Sequence, residues 1–364
     1  MNRLQLLPRA VLRPVTPRKY HGLRRTSTSS VPLSSSTKRS SVIFAATVGG
    51  SALVAAYLFW PDSSRSAPTY ENAKLSPTHF TPVNVTASIP CSNPETRLVT
   101  LAVPRQSLPD IQEASFSPIW SVFIKDDDIQ VERPYTPLEG IDDQGNLKFW
   151  IKRYPKGEVG RWIHSKTIGE QIEIRGPLKT WVWQEEKWDE VVMVSGGTGI
   201  TPFYQLLHHE LFSQRSNPSS TTFTLLHSSN NPGELPPPEL LEPMTSYAQK
   251  DPSRFRFSLY VDSLDGDNTS AVDRRVLQEG RIGRRALELA LGLDVDRPWW
   301  QRLFQSSPLT RRGNTKDRRI LFLVCGPDPM VAAIAGPFGR NMSQGPVGGI
   351  LGEMGYKSDQ VWKL

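Results

Sequence analysis

The sequence predicts a β-barrel domain followed by an α/β domain with a parallel sheet, and a transmembrane helix ahead of both. Three features predict this architecture. Residues 86–187 carry short β-rich segments separated by turn residues, residues 188–364 alternate apolar strands with helical stretches, and an uncharged run of 20 residues lies near the N-terminus. About 280 residues follow the N-terminal segments, which is enough for two folded domains.

The positive charge of the chain is concentrated at its N-terminus. Residues 1–40 contain nine Lys or Arg and no Asp or Glu, whereas the other 324 residues contain 34 basic and 36 acidic residues. A folded surface that binds nucleic acid should be basic, so this distribution argues against nucleic acid as a partner. Acid-free N-termini rich in Arg and Ser are typical of mitochondrial presequences, and we interpret residues 1–40 as one; a disordered tail is the alternative.

Residues 41–60 form the predicted transmembrane helix. Twenty uncharged residues span about 30 Å as a helix, which matches the core of a bilayer. Lys38 and Arg39 precede the segment and Pro61 ends it. A buried globular helix would usually show a polar stripe, which this segment lacks. Residues 61–85, rich in Pro, Ser and Thr, are a predicted linker.

The predicted β-barrel domain covers residues 86–187. Its apolar residues alternate or occur in short bursts between turn signals. The predicted strands are 97–103, 119–124, 129–135, 147–154 and 171–174.

The chain offers little for metal or thiol chemistry. Carboxylates at Asp126–Asp128 and Asp142–Asn146 raise the alternative of a calcium loop, but the alternating ligand spacing and the terminal Glu of such a loop are missing. We therefore interpret both segments as turns and expect no metal site. The two cysteines, Cys91 and Cys325, cannot make a disulfide framework or a four-ligand zinc site, so redox chemistry requires a bound cofactor.

The predicted α/β domain covers residues 188–364. A continuous apolar strand at 191–195 is followed by a tight turn at 196–202 and a helical stretch at 203–212. Strand followed by helix, repeated along the chain, implies a parallel sheet with crossovers. Further buried strands are predicted at 222–226 and 320–324.

The turn at 196–202 has the composition of a pyrophosphate site. A pyrophosphate docks on backbone N–H groups at a helix N-terminus, and glycines allow its close approach. Gly196, Gly197 and Gly199 meet that need, and Thr198 between them is a further predicted contact of the cofactor. Pro202 lies in the first helical turn, where its missing N–H costs nothing. By itself such a turn could equally serve chain topology.

The segment Glu132–Pro137 suits a flavin dinucleotide. An FAD must be held by its pyrophosphate, which favours Arg, and by its ring, which favours an aromatic side chain and a hydroxyl. We predict Arg133 as the phosphate partner, Tyr135 as the packing group and Thr136 as the hydroxyl; an edge strand ended by prolines is the alternative. Further phosphate and ribose contacts are predicted from Lys152, Tyr154 and the Gly157–Gly160 turn.

With these residues in view, residues 80–364 resemble the ferredoxin-NADP reductase superfamily, most closely its NADH-cytochrome b5 reductase branch. Three motifs occur in the order of that family: Arg-x-Tyr-Thr at 133–136, Gly-Gly-Thr-Gly-Ile-Thr-Pro at 196–202, and Cys-Gly-Pro-x-x-Met at 325–330.

The resemblance also implies roles for individual residues. Thr201 would lie near the flavin and Cys325 beside the nicotinamide ring. Gly326 and Pro327 would lie along the dinucleotide, in the motif that Met330 closes.

Three departures from the family pattern are visible. The family's Gly-x-x-Ser pyrophosphate turn ends in Gly160, which removes a serine hydroxyl, and the usual terminal Phe is Leu364. The Arg-rich stretch at about 262–319, which contains Trp299 and Trp300, exceeds what the family places there. We interpret it as a solvated insertion; a partner surface is the alternative.

The resemblance implies hydride transfer from NADH or NADPH to FAD, followed by single-electron steps to a haem protein. Residues 226–231 supply no Arg or Lys for a 2′-phosphate, which favours NADH. The insertion, the presequence and the single span resemble a fungal mitochondrial branch associated with cytochrome c maturation, so haem or the haem-attachment machinery is the expected acceptor. The alternatives are a general cytochrome b5 reductase and a non-catalytic assembly factor that keeps the fold.

The positive charge that precedes the predicted membrane span indicates how the protein is oriented in the membrane. If the positive end stays on the matrix side, the helix anchors the protein in the inner membrane with its catalytic domain in the intermembrane space. An outer-membrane anchor with a cytosolic domain is the alternative.

Overall fold

The computed structural model describes residues 67–108, 118–126, 130–184, 186–213, 219–265, 272–293 and 318–364. Within these stretches no helix has the length and apolar character that a bilayer crossing requires. The predicted presequence and transmembrane helix, residues 1–60, lie outside the described residues.

An antiparallel sheet of six strands forms the first domain. The strand order is β4-β3-β6-β1-β2-β5, and no pairing joins β4 to β5 within the described stretches. The predicted all-β first domain is thus confirmed as an antiparallel sheet. Its strands are β1 Thr81–Pro90, β2 Thr96–Ala102, β3 Ile119–Lys125, β4 Glu132–Tyr135, β5 Asn146–Lys152 and β6 Gln171–Trp181.

Alternating side chains give this sheet one buried face. In β6, Ile172 and Ile174 are buried while Glu173 and Arg175 between and beside them are partly exposed. Buried residues from every strand except β4 meet in one hydrophobic cluster, and helix α1, Glu158–Ser165, adds its own apolar residues to it. Burial of this face holds the strands in register, because a shift by one residue would expose the whole apolar set.

The five predicted strands match β2 to β6 within three residues at each end, except at the end of β6, and β1 was not predicted as a strand. Strand β6 continues to Trp181 instead of ending at 174, because β3 pairs along it as far as Ile119. Strand β1 begins at Thr81, inside the segment expected as linker, because its first four residues pair with β6.

A wholly parallel sheet of six strands forms the second domain. The strand order is β10-β9-β8-β7-β11-β12, so the chain first moves outward from β7 in one direction and then returns to its other side. The two central neighbours, β7 and β11, therefore mark the point where the strand order reverses. The strands are β7 Glu190–Gly196, β8 Thr222–Ser229, β9 Phe255–Val261, β10 Leu277–Glu279, β11 Ile320–Cys325 and β12 Val361–Lys363.

Helices cover both faces of the parallel sheet, as strands that are buried on both sides require. One cluster buries apolar residues of α2 and α3 against the sheet, and a second buries those of α4, α5 and α6. The α-helices are α2 Thr201–Leu207, α3 Pro238–Lys250, α4 Arg284–Ala290, α5 Asp328–Ala335 and α6 Gly349–Glu353. A π-helical turn, His208–Phe212, extends α2, and short 3-10 helices occupy Arg105–Ser107, Gly197–Ile200, Pro232–Glu234, Arg274–Val276 and Arg340–Met342.

Part of the expected insertion at 262–319 belongs to the α/β domain. Strand β10 pairs with β9 in parallel, and α4 buries Ala286 and Leu287 against the sheet. These elements are the next strand and helix of the fold. Residues 266–271 and 294–317 of that stretch, including Trp299 and Trp300, lie outside the described residues.

A buried glutamine joins the two domains. Gln205, on α2, accepts a hydrogen bond from the backbone N–H of Trp120 at 2.8 Å and donates one to the carbonyl of Pro137 at 3.0 Å. Around it, Ile119 and Leu138 of the first domain share a hydrophobic cluster with α2. The shared cluster fixes the domains against each other and sets the shape of the cleft between them.

Candidate active site

A cleft of about 650 Å³ lies between the two domains. One wall comes from β4, β5 and α1 of the antiparallel domain. The other comes from the segments that follow β7 and β11, at the carboxyl edge of the parallel sheet. Ligands of such sheets bind outside the carboxyl ends of the strands at the point where the strand order reverses, and the cleft lies at that point.

The cleft brings together most of the site residues that the sequence predicts. Gly197 and Met330 do not line it. Those that do are Arg133, Tyr135, Thr136, Lys152, Tyr154, Gly157, Gly160, Thr198, Gly199, Thr201, Cys325, Gly326 and Pro327. Because they come from segments up to 194 positions apart, the fold itself makes this a single site.

The glycine turn after β7 is packed directly against the end of β11. A Cβ on Gly199 would lie 2.6 Å from the carbonyl carbon of Cys325, so a larger residue does not fit. Gly197 has open space around it but a φ of 54°, a conformation that side chains disfavour. Met330 packs closely against the start of the turn, because a Cβ added to Gly196 would lie only 2.7 Å from the Met330 sulfur. The glycines of the turn therefore leave its backbone open to a ligand, and Thr198 is the residue of the turn that adds a side-chain hydroxyl.

Strand β4 contributes a cation, a phenol and a hydroxyl to the opposite wall. Arg133 is exposed, and its guanidinium donates a hydrogen bond to the carbonyl of Glu132 at 2.9 Å. Burial raises the pKa of Tyr135 to about 12, so its phenol stays protonated at neutral pH and can donate. The half-buried Thr136 follows at the end of the strand. These are the donor types that a flavin ring and a pyrophosphate require.

Two contacts between the domains involve residues that line the cleft. The ammonium of Lys152, on β5, lies 2.6 Å from the carboxylate of Glu234 in the loop after β8. Burial opposes ionisation of Glu234, but the hydrogen bonds from Lys152 and Asn230 outweigh it and hold the pKa of Glu234 below its ordinary value. Farther along, the hydroxyls of Tyr154 and Thr198 are 3.4 Å apart. Lys152 is thus bound to a carboxylate rather than standing free for a phosphate.

The segment expected as a turn at Gly157–Gly160 is the start of a helix. Gly157 is the N-terminal cap of α1, and the helix runs through Gly160, which is packed so closely that a Cβ would lie 3.0 Å from the carbonyl of Lys152. The helix forms because Val159, Trp162 and Ile163 give it one apolar face. Its N-terminus opens on the cleft, so its unpaired N–H groups are available to an anion there.

Cys325 and Thr201 complete the floor of the cleft. Burial raises the pKa of the Cys325 thiol to about 12, so the sulfur is a neutral thiol at physiological pH. Thr201 donates a hydrogen bond to the carbonyl of Thr198 at 3.1 Å, which ties the start of α2 to the 3-10 helix that precedes it. In the stretches that the structure describes, no group of His, Cys, Asp and Glu residues could hold a metal ion.

Sequence reasoning missed several residues of the site. Glu234 was not predicted, because its partner Lys152 lies 82 positions away in another domain. Gln205 was also missed. It is a polar residue within an otherwise apolar helical stretch, and that pattern could have indicated a buried hydrogen-bonding role. Leu364 was noted as a departure from the family, and it does line the cleft. It is held there by a hydrogen bond from its N–H to the carbonyl of Val324 at 2.9 Å.

The residues of the cleft fit a flavin dinucleotide beside a pyridine nucleotide. The first wall supplies the cations Arg133, Lys152 and Lys156, a protonated phenol and a helix N-terminus, and the second supplies the glycine turn. None of the cleft residues forms an acid–base pair of the kind that proton-transfer catalysis needs. The arrangement can therefore bind and align two cofactors, with the redox chemistry left to them.

Two domain families match this chain. The oxidoreductase FAD-binding domain matches residues 114–183, and the oxidoreductase NAD-binding domain matches residues 193–336. The first match covers all elements from β3 to β6, and the second begins within β7. The two matches therefore fall on the two walls of the cleft.

Known relatives and solved structures agree with these matches. The chain is 31% identical over 235 residues to NADH-cytochrome b5 reductase 2 of Lodderomyces elongisporus, covering 64% of this chain and 67% of that protein. It is 29% identical over 250 residues to NADH-cytochrome b5 reductase 2-A of Vanderwaltozyma polyspora, covering 68% and 72%. Further proteins named NADH-cytochrome b5 reductase 2 are matched over only 59% to 62% of their length.

The fold is similar to that of the cytochrome b5 reductase domain of Ulva prolifera nitrate reductase. The TM-score is 0.55 at 18% sequence identity, and the similarity covers 80% of this chain and all of that one.

Proposed function

Since this chain belongs to the family of NADH-cytochrome b5 reductases, we propose that it passes a hydride from NADH to bound FAD and single electrons onward to a haem protein. We propose further that it does so while anchored in a mitochondrial membrane. The observation that carries the redox proposal is the single cleft in which the Arg133–Thr136 segment faces the turns after β7 and β11.

The residues of the chain act by binding and alignment. FAD, when bound, supplies the conversion between a two-electron donor and a one-electron acceptor. Arg133 and the N-terminus of α1 would hold its pyrophosphate, and Tyr135 and Thr136 would contact its ring. The turn at Thr198 and Gly199 and the neutral thiol of Cys325 would set the approach of the nicotinamide.

Two features favour NADH over NADPH. The loop after β8 carries the carboxylate of Glu234, which is ionised and held in place by Lys152 and Asn230. A 2′-phosphate near that carboxylate would be repelled, whereas a ribose hydroxyl could donate to it. Residues 226–231 also contain no Arg or Lys.

The acceptor we propose is a haem protein that takes one electron at a time. The names of the relatives point to cytochrome b5. The presequence-like N-terminus, the apolar segment 41–60 and the long stretch near 262–319 support a second candidate, namely haem on its way to attachment during cytochrome c maturation.

Reduction of the purified full-length chain in detergent tests the enzymatic proposal. A yellow protein whose flavin absorbance bleaches anaerobically with NADH, and more slowly with NADPH, is the expected result. Cytochrome b5 and cytochrome c haem, offered separately, then distinguish the two acceptors. Colourless protein that neither nucleotide reduces would instead support an assembly factor that has kept the fold.

Protease treatment of mitochondria tests the proposed location. The acid-free residues 1–40 and the uncharged residues 41–60 support an inner-membrane anchor with the catalytic domain in the intermembrane space. We expect the folded domain to resist protease in intact mitochondria and to be digested once the outer membrane is ruptured. Digestion in intact mitochondria would place the domain in the cytosol, on an outer-membrane anchor.

A further inference from the structure

A chain of buried hydrogen bonds, the relay, lies inside the α/β domain beneath the glycine turn. It runs from Ser195 on β7 through His227 and Ser229 on β8 to the backbone carbonyl of Glu234. Ser195 Oγ lies 2.8 Å from His227 Nδ1, and Ser229 Oγ lies 3.2 Å from His227 Nε2 and 3.3 Å from the carbonyl. Ser195 and His227 are fully buried, and Ser229 is 8% exposed.

The bonding partners fix the direction of the relay. Ser229 donates its hydroxyl proton to the carbonyl of Glu234, so it accepts from Nε2–H of His227. Nδ1 of His227 is then the acceptor of the Ser195 hydroxyl. This tautomer requires a neutral imidazole, and burial indeed lowers the pKa of His227 to about 3.

One end of the relay leads to a turn that lines the cofactor cleft, and the other leads to a residue that is paired with a lining residue. Ser195 immediately precedes Gly196, where the glycine turn begins, and it pairs in register with His227 across the sheet. At the other end, Glu234 bonds through its side chain to Lys152, which lines the cleft. The relay therefore ties the turn after β7 to the loop after β8.

Packing alone does not account for these residues. Three apolar side chains of similar volume would fill the same space without the cost of desolvating an imidazole and two hydroxyls. A fully satisfied buried network instead restricts its members to one arrangement. A dinucleotide bound at this edge of the sheet would lie across the ends of both strands, so this arrangement would set the distance between the two segments that contact it.

We propose that His227 is a positioning residue for the pyridine nucleotide, acting through Ser195 and Ser229 on the two loops that receive it. The inference rests on the proposed function, because it concerns the affinity of the same site for NADH. It makes no use of His227 as an acid, a base or a ligand to the nucleotide.

Steady-state kinetics of the holoenzyme with ferricyanide as electron acceptor test the proposal. His227→Leu should raise the KM for NADH about tenfold, which corresponds to about 1.4 kcal/mol. The kcat and the flavin content should stay within about twofold, since neither the flavin wall nor the thiol is touched. Ser195→Ala should also raise the KM for NADH. His227→Asn keeps a hydrogen-bond acceptor near the position of Nδ1, so its KM for NADH should lie much closer to the wild-type value than that of His227→Leu.

Leu226→Ala is the matched control, because Leu226 is buried on the same strand but belongs to the cluster on the other face of the sheet. It should lower stability and leave KM unchanged. An unchanged KM in Ser195→Ala and in His227→Leu, or an equal rise in Leu226→Ala, would overturn the proposal. If His227→Leu does not fold, Ser195→Ala decides. Wild-type flavin that NADH cannot reduce would remove the proposed function itself, and the role of the relay with it.

Discussion

Arg133 is the residue on which flavin retention should depend most. It is the cation that β4 presents to the cleft, and a hydrogen bond between charged groups contributes about 1.5–3 kcal/mol. Arg133→Ala should therefore weaken FAD binding about 10- to 100-fold. The ratio of flavin to protein absorbance after gel filtration measures the loss.

Arg153→Ala is the control for that measurement. Arg153 is a similarly exposed arginine, but it pairs with Glu95 and does not line the cleft. It should keep its full flavin content. A flavin ratio in Arg133→Ala equal to that of this control would mean that the pyrophosphate is held elsewhere.

Cys325 should affect the rate of hydride transfer and not the binding of FAD. Cys325 lines the cleft beside Gly326 and Pro327, and its buried thiol, with a pKa of about 12, does not titrate in the neutral range. We expect Cys325→Ala to slow flavin reduction by NADH about tenfold, or about 1.4 kcal/mol, in stopped-flow experiments. The wild-type rate should show no inflection from this thiol between about pH 6 and 9. Cys91→Ala, which changes a cysteine outside the cleft, should reduce at the wild-type rate.

His227 should make the folded protein sensitive to mild acid. Its pKa is about 3 in the folded state and 6.5 in the unfolded state, so below pH 6.5 the unfolded chain binds a proton that the native state refuses. Stability must then fall as the pH drops from 6.5 toward 3, by about 2 kcal/mol at pH 5 from this group. Urea unfolding at pH 7.5 and 5.0 should show that His227→Leu loses less stability between the two pH values than wild type does. Equal losses would mean that the imidazole is protonated in the folded protein.

At the scale of elements, the glycine turn between β7 and α2 should tolerate substitution unevenly. Gly199→Ala would place a Cβ against the backbone of Cys325, so the turn or β11 must shift. In Gly197→Ala the new Cβ would have no neighbouring atom within 4 Å, so the substitution should cost only the strain of a positive φ, about 1 kcal/mol of stability. We expect Gly199→Ala to abolish flavin reduction by NADH, and Gly197→Ala to retain it with modestly lower stability.

Gly140→Ala is the control for both glycines. A Cβ at Gly140 would have no neighbour within 4 Å beyond the adjoining residues of the chain, and its φ is not positive, so the substitution should change neither stability nor reduction. If Gly199→Ala reduces its flavin as fast as Gly140→Ala, the turn does not need its contact with β11.

The elements with a strong apolar period could be predicted from the sequence. Strands β7 and β11 are continuous apolar runs, and their observed ends lie within one residue of the prediction. Helix α1 was expected as a turn, because the glycines at its start are typical turn residues. The helix is only eight residues long, so its apolar pattern is too short to be recognised in the sequence. Strand β10 was assigned to an insertion, because a strand of three residues is too short to show an alternation of apolar and polar residues.

The candidate site could be predicted where neighbours in sequence share a motif, and could not be predicted where partners come from different domains. Arg133, Tyr135 and Thr136 lie on one strand end, so their common location follows from the sequence. The Lys152–Glu234 pair and the bonds of Gln205 depend on how two domains pack. Neither Lys152 nor Gln205 has a local signal that names its partner.

At the scale of the whole molecule, the cleft exists because the two domains are held in one arrangement. Gln205 accepts from the N–H of Trp120 and donates to the carbonyl of Pro137, and it is 3% exposed. Gln205→Leu would keep the side-chain volume but leave two buried backbone groups without partners. Each such group costs about 1–3 kcal/mol, so we expect urea unfolding to show a loss of at least about 2 kcal/mol.

The same substitution should separate flavin binding from flavin reduction. The flavin contacts we propose lie mainly on β4 and α1, whereas hydride transfer needs the turns after β7 and β11 at the correct distance across the cleft. Gln205→Leu should therefore keep most of its FAD and be reduced by NADH more slowly than wild type. Gln249→Leu, an exposed glutamine on α3, is the matched control and should behave as wild type. A Gln205→Leu protein with wild-type stability and a wild-type reduction rate would show that the apolar cluster alone fixes the two domains.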